Sequence, residues 1–238
     1  MNKTYDKGYQ SFQEGVIACI PTVLGYFGIG LAAGILGKSS GLSIMSIVLM
    51  SAIIYGGSSQ FIIIGMLMTN SPVSAIVFTT FLVNARHFLM SLSVAEYFRD
   101  FSIPKSIAIG SLLTDESYGV LMNPIMNGKQ VSFQWVNGLN MTAYLVWILS
   151  TLVGGLVGNL IPNPEQFGLD FALVAMFIGL VVLQIDGELK KNTVKTLLIL
   201  GSVVLSVYLL SHVMSMELSV LAATLIGCGM GVYLDGKK

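Results

Sequence analysis

Apolar residues in this chain run in long blocks, and polar residues gather where the blocks end. Reading the blocks between charges, prolines and Gly/Asn/Ser clusters predicts helices over 15–37, 42–68, 73–98, 104–123, 134–161, 168–185, 193–212 and 216–234. No stretch alternates polar and apolar residues over the length of a barrel strand, so helices are the spanning element that lipid permits. The expectation is an all-α, polytopic helical membrane protein, one integral-membrane domain over 1–238. It has about eight transmembrane segments, or about seven if one is re-entrant, and some helices are discontinuous.

Composition supports this reading. Hydrophobic residues make up 54% of the chain, charged ones 10%, and mean hydropathy is +0.81; a soluble domain carries about 25% charged residues. No charge occurs between Lys38 and Arg86, or between Lys129 and Glu165, and each gap exceeds the roughly 20 residues of one span. Net charge is zero and no basic tract is present, which argues against nucleic acid as a partner. Cys19 and Cys228 lie in apolar segments without metal-ligand spacing and read as packing residues. The residues before Gly15 mix Lys3, Asp6, Lys7 and Glu14 and lack a signal-peptide pattern, so no cleaved leader is expected.

Loop charges set orientation. With eight spans, the side of the termini takes Lys3, Lys7, Lys129, Lys190, Lys191, Lys195, Lys237 and Lys238, against Lys38, Arg99 and Lys105 opposite. Both termini are therefore expected in the cytoplasm, with Arg99 and Lys105 on the wrong side.

The costliest stretch is Thr79–Ser93, which sets Asn84, Arg86 and His87 in an apolar span. An arginine at the bilayer centre costs about 2.5–3.5 kcal/mol on insertion scales, so a structural reason alone is hard to supply. Asp115 and Glu116 in the next segment offer the opposite charge. Ser111, Thr114, Asp115 and Tyr118 follow helical spacing, which makes Asp115 the first choice to face Arg86. Tyr55–Phe61, YGGSSQF, predicts a broken helix at Gly56 and Gly57, with Ser58, Ser59 and Gln60 beside the break. Pro21, followed by Gly25, Gly28, Gly30 and Gly34, marks either a second break or close helix packing. Gly154 with Gly158, and Gly227 with Gly231, read as packing alone. Trp135 reads as a headgroup-boundary aromatic, Asp170 as a helix cap, and Asp186–Lys191 as a solvated loop. No internal repeat is visible.

At Tyr55–Phe61, Val83–His87 (VNARH) and Leu113–Glu116 (LTDE), the chain resembles the AzlC family of bacterial branched-chain amino acid exporters. Pro21 with its glycines and Phe167–Phe177 extend the resemblance over nearly the whole length. Gly57 departs from the alanine usual there, and Met90 from a common tyrosine. The resemblance implies a bacterial plasma-membrane permease that exports leucine, isoleucine, valine and sometimes methionine. It also implies a small AzlD-type membrane subunit as partner and the proton gradient as drive, with no cofactor.

The residues suit that chemistry. An apolar amino acid needs donors for its carboxylate, an acid for its ammonium and an apolar wall. Arg86 and the amides near Gly56–Ser59 are candidates for the first, Asp115 for the second, and Asn84, Gln60 and His87 for orienting them; Glu116 is a further candidate at the site, directed off the stripe toward Leu112, Leu113 and Asn123. The alternative is a structural or sensing subunit whose intramembrane charges hold a partner. An enzyme is not expected: there is no HExxH, no GxSxG, and adjacent Asp115 and Glu116 diverge by about 100° on a helix, unlike a shared-proton dyad.

Overall fold

The computed structural model describes residues 9–161, 166, 168, 171–214 and 216–235. All regular structure among them is helical: α1 (Phe12–Ser39), α2 (Ile44–Ile53), α3 (Gly57–Met68), α4 (Val73–Ala95), α5 (Ile103–Ser111), α6 (Asp115–Met126), α7 (Phe133–Val157), α8 (Ala172–Leu210) and α9 (Met216–Asp235). Phe12–Ser39, Val73–Phe98, Phe133–Leu160 and Asn192–Leu210 are each long and apolar enough to cross a bilayer. Exposed Leu24, Phe27, Phe78, Phe81, Phe88 and Leu149 give these helices the apolar outer faces that lipid requires. The protein is a polytopic helical membrane protein. Its chain forms two compact units, Met1–Met176 and Phe177–Lys238.

In the first unit α1 and α7 lie side by side and parallel. A Cβ added at Gly15 would meet the Trp135 carbonyl, one at Gly30 would come within 2.6 Å of the Ser150 Cβ, and one at Gly34 within 2.2 Å of the Thr151 carbonyl oxygen. Glycine is required there because α7 comes so close, so Gly30 and Gly34 of the run after Pro21 serve helix packing, whereas Gly25 and Gly28 have nothing within 4 Å of an added Cβ. The break expected at Pro21 does not form: α1 is helical throughout, with Pro21 on its exposed side. Contact with α7 on both sides of the proline holds the helix together despite the lost backbone bond. Trp135, near the start of α7, is 1% exposed, with Tyr9 edge-on at 5.5 Å.

The segments 42–68 and 104–123, expected to cross, each break and fold back. Down α2, Ile47 faces Gly155 and Ser51 meets Thr151, so α2 runs from the far end of α7 toward its middle. After the break, Phe61 packs on Ala32 and Ala33, and Ile64 returns to Gly37, which also touches Ile47. The second hairpin enters from the other end. Phe101 and Lys105 lie against Phe133 at the start of α7, and the Ile109 carbonyl reaches Asn140. Beyond its break Asp115 meets Arg86 in mid-α4, and Tyr118 then meets Ser93 near the end of α4. Each half-helix has 9 to 12 residues, or about 14–18 Å, half of a roughly 30 Å hydrocarbon core.

Thus α1 with α2–α3 and α4 with α5–α6 repeat one plan, a long helix followed by a re-entrant hairpin, in opposite directions. The repeat lies in topology, where sequence comparison of the halves finds none. The polar stripe Ser111–Thr114–Asp115–Tyr118 is also corrected, because the helix stops between Ser111 and Thr114. Folding back moves Arg99 and Lys105 to the end where α1 begins, the end that already holds Lys129, and leaves Lys38 at the other, so the misplaced charges disappear.

In the second unit α8 is helical through the expected loop at 186–191, and the interruption shrinks to Asn192, which has non-helical φ and ψ. Its side-chain oxygen accepts from the Lys195 amide at 3.1 Å, starting the next stretch as a helix cap. Gly227 packs against Val203 and Gly231 against Ile199, as their spacing predicts. Cys19 is a buried packing residue, but Cys228 is exposed on α9. Asp170 and most of the 161–170 loop lie outside the described residues.

Gly34→Ala is expected to lower stability by about 1–3 kcal/mol through overpacking. Gly25→Ala, with nothing within 4 Å of the added Cβ, should leave it unchanged or slightly raised. Thermal unfolding of the purified protein in detergent compares the two.

Candidate functional site

The two hairpin tips meet at mid-depth of α1, α4 and α7 and enclose a cleft. Tyr55, Gly56, Gly57 and Ser58 line it from the first tip, Thr114, Asp115 and Glu116 from the second. Tyr26 of α1, Arg86 and His87 of α4 and Trp147 of α7 complete the lining. It holds about 320 Å³ of empty space, including the part that opens outward. Its enclosed part admits little more than a water molecule.

A helix broken inside an apolar medium leaves carbonyls and amides that must find partners. α7 supplies the donors for both broken ends: Tyr144 Oη donates to the Ala52 carbonyl at 2.9 Å and Asn140 Nδ2 to that of Ile109 at 3.2 Å. These residues are one helical turn apart, so one face of α7 caps α2 and α5 together. A second set clamps the first hairpin: Trp147 Nε1 donates to Gln60 Oε1 (2.6 Å), Gln60 Nε2 to Ser51 Oγ (2.8 Å), and Ser51 Oγ lies 2.6 Å from Thr151 Oγ1.

The helices that leave the tips present their N-terminal ends to the cleft. α6 is capped by Thr114, whose Oγ1 accepts from the Ser117 amide while Ser117 Oγ accepts from the Thr114 amide, and Asp115 and Glu116 fill its first turn. α3 has no side-chain cap: Gly56 precedes it, and the Gln60 amide is the first to bond back, to the Gly56 carbonyl. The Gly57 and Ser58 amides therefore stand at the positive end of α3, the kind of place where anions bind.

Arg86 ties the two tips together. Its Nη2 lies 3.0 Å from Asp115 Oδ2 and donates to Ser58 Oγ at 2.6 Å. The ion pair is mostly removed from solvent, with the side chains 28% and 16% exposed. Tyr26 makes the matching link from α1: its hydroxyl donates to Glu116 Oε2 at 2.8 Å and lies 2.5 Å from Thr114 Oγ1. Each repeat's long helix thus holds the other repeat's hairpin. Ser59 donates to Asn84 Oδ1 at 2.5 Å. Among the described residues no group of three or more His, Cys, Asp or Glu side chains is placed to hold a metal ion.

A family model described as AzlC protein matches residues 21–161, more than half of the chain and every element that lines the cleft. The chain belongs to the AzlC family. Among its AzlC relatives, the branched-chain amino acid transport protein AzlC of Bacillus subtilis is 27% identical over 189 residues, 79% of this chain and 73% of that one. An uncharacterized membrane protein of Archaeoglobus fulgidus is 29% identical over 218 residues, covering 91% and 92% of the two chains. The inner membrane protein YgaZ of Escherichia coli is 27% identical over 181 residues, 74% of each chain. No solved structure matches.

Of the residues singled out in the sequence, Gly56, Gly57, Ser58, Arg86, His87, Asp115 and Glu116 come together around the cleft. Ser59, Gln60 and Asn84 stand behind it, holding α3 to α4, α2 and α7. Pro21 is elsewhere, on the exposed side of α1. Tyr26, Tyr55, Thr114 and Trp147 line the cleft without having been singled out as site residues. Thr114 did carry a signal, a threonine followed by two acids, the usual start of a helix.

Asp115→Ala removes the countercharge of Arg86 and is expected to lower stability by about 2 kcal/mol. Adding Arg86→Met should restore part of that loss. Unfolding temperatures of wild type, the single variant and the double variant measure it.

Proposed function

We propose that this protein is a secondary transporter that exports branched-chain and similar apolar amino acids across the bacterial plasma membrane. In this reading it is the large subunit of a two-component permease with a small AzlD-type partner, and protons drive it. The observation that carries the reading is the two-signed cleft at mid-depth. On one side stand Arg86, Ser58 and the open N-terminus of α3, which suit a carboxylate. On the other stand the acids of α6, which suit an ammonium. Tyr26 and Trp147, edge-on at 5.3 Å, offer an apolar wall. The name of the Bacillus subtilis relative supports the substrate class, and the family resemblance supports direction, coupling and partner.

The re-entrant hairpins give the cleft two covers. α2–α3 closes it toward the end of the first unit marked by Lys38, α5–α6 toward the end marked by Lys105 and Lys129. A branched side chain requires the cleft to widen, and withdrawing one hairpin at a time opens it to one side at a time. Opening breaks the bond that joins Arg86 to the first tip at Ser58. The carboxylate of a bound zwitterion replaces that partner and thereby lowers the cost of movement.

Six crossings complete the topology: α1, α4, α7, the two stretches of α8 on either side of Asn192, and α9, each near the roughly 20 residues a span needs. Both termini then lie in the cytoplasm with Arg99, Lys105, Lys129, Lys190, Lys191 and Lys195, and Lys38 alone among these faces outward.

Counterflow of labelled leucine in proteoliposomes tests the reading. Wild-type protein, with its AzlD-type subunit, is expected to exchange leucine, isoleucine and valine. Arg86→Lys and Asp115→Asn, at normal expression, should each lower the rate by about tenfold or more. Wild-type rates in both variants would remove the site assignment. Binding of the partner with no exchange would make the protein a structural or sensing subunit instead.

A further inference from the structure

Asp115 is engaged by Arg86 at 3.0 Å, whereas Glu116 forms no ion pair among the described residues and is held by neutral donors, the Tyr26 hydroxyl at 2.8 Å first among them. Beside it in the cleft lies Tyr55, the residue at the first break. Its side chain is 7% exposed, and its hydroxyl, which lies near those of Tyr26 and Thr114, makes no hydrogen bond of good geometry. A buried phenol without a partner is disfavoured, because its lost hydration is not replaced. The backbone holds it there: Tyr55 has φ of 44°, left-handed and uncommon for a bulky residue. Its ring is fixed edge-on against Tyr144 at 4.9 Å, and Tyr144 is itself anchored to the Ala52 carbonyl.

Building on the transport reading, we infer that Tyr55 and Glu116 bind the α-ammonium of the substrate, and that Asp115 serves as the fixed countercharge of Arg86. A primary ammonium has three N–H donors and no acceptor. The Glu116 carboxylate supplies one charged acceptor, and the phenol oxygen of Tyr55 accepts a second hydrogen bond. Tyr26, by donating to Glu116, holds the carboxylate in place. The carboxylate of the same zwitterion then falls on the other side of the cleft, at Arg86 and the α3 amides. Tyr55 is thus a residue that selects amino acids over the corresponding carboxylic acids.

Tyr55→Phe tests this, because it removes the hydroxyl and keeps the ring on Tyr144. The measurement is competition against leucine counterflow by leucinamide, which keeps the ammonium, and by 4-methylpentanoate, which keeps the carboxylate and lacks the ammonium. In Tyr55→Phe the half-saturation concentration for leucine and the inhibition constant for leucinamide are expected to rise together by about tenfold, while any inhibition by 4-methylpentanoate stays unchanged. Glu116→Gln, which still accepts from Tyr26, should show the same split with a larger rise. An unchanged value for leucine, or an equal rise for leucine and 4-methylpentanoate, overturns the assignment. Wild-type protein that exchanges no leucine overturns the transport reading itself, a result seen before any variant is made.

Discussion

A polypeptide that stops being helical at the depth of the lipid chains must find partners for the groups it frees, and the first unit is arranged around that requirement. Two hairpins break at mid-depth, at 54–56 and 112–114. Their carbonyl ends are capped from a single face of α7 by Tyr144 and Asn140. The long helices can take this load because α1 and α7 touch backbone to backbone at Gly15 and Gly34. Without that rigid pair the donors would not stay in register with the broken ends.

The same requirement produces the chemistry. Capping deals with the carbonyl ends and leaves two helix N-termini facing one another across the cleft, a region of positive potential. Asp115 and Glu116 offset it from α6. Arg86 in turn compensates Asp115 and reaches across to Ser58. The costly arginine thus joins the two tips, and in the proposed transport reading its bond to Ser58 is the one a bound carboxylate replaces. The crossed links Arg86 to the first hairpin and Tyr26 to the second give both hairpins a similar attachment, which supports the proposed opening to either side.

Much of this was legible in the sequence, and the failures have physical causes. Arg86, Asp115 and the first break could be found because each violates what lipid tolerates: a charge with no opposite charge beside it in its own segment, or paired glycines and serines in mid-helix. The second break carried only an ordinary helix-start signature at Thr114 within a segment apolar enough to continue, so it was read as one helix. Pro21 looked like a break and is not, since packing on α7 overrides local preference. Re-entrance was legible only as an alternative for one unspecified segment. Hydropathy gives the length of an apolar run, and a hairpin that goes halfway in and returns has the length of a single crossing. Only the misplaced charges of Arg99 and Lys105 hinted at it. Trp147 and Tyr55 were hidden for a different reason, because an aromatic residue in an apolar run has the same pattern whether it packs, marks a boundary or lines a site.

The central claim is that a zwitterionic apolar amino acid occupies the space between the two hairpin tips. It is most directly tested by thiol protection, using a single cysteine at Ser58 in a background with Cys19 and Cys228 replaced, and another at Asn127, exposed at the far end of α6. The rate of modification by a small thiol reagent is measured with and without saturating leucine in protein that still exchanges leucine. Slower modification at 58 with no change at 127 is the predicted result; equal rates at 58 with and without leucine would contradict the account.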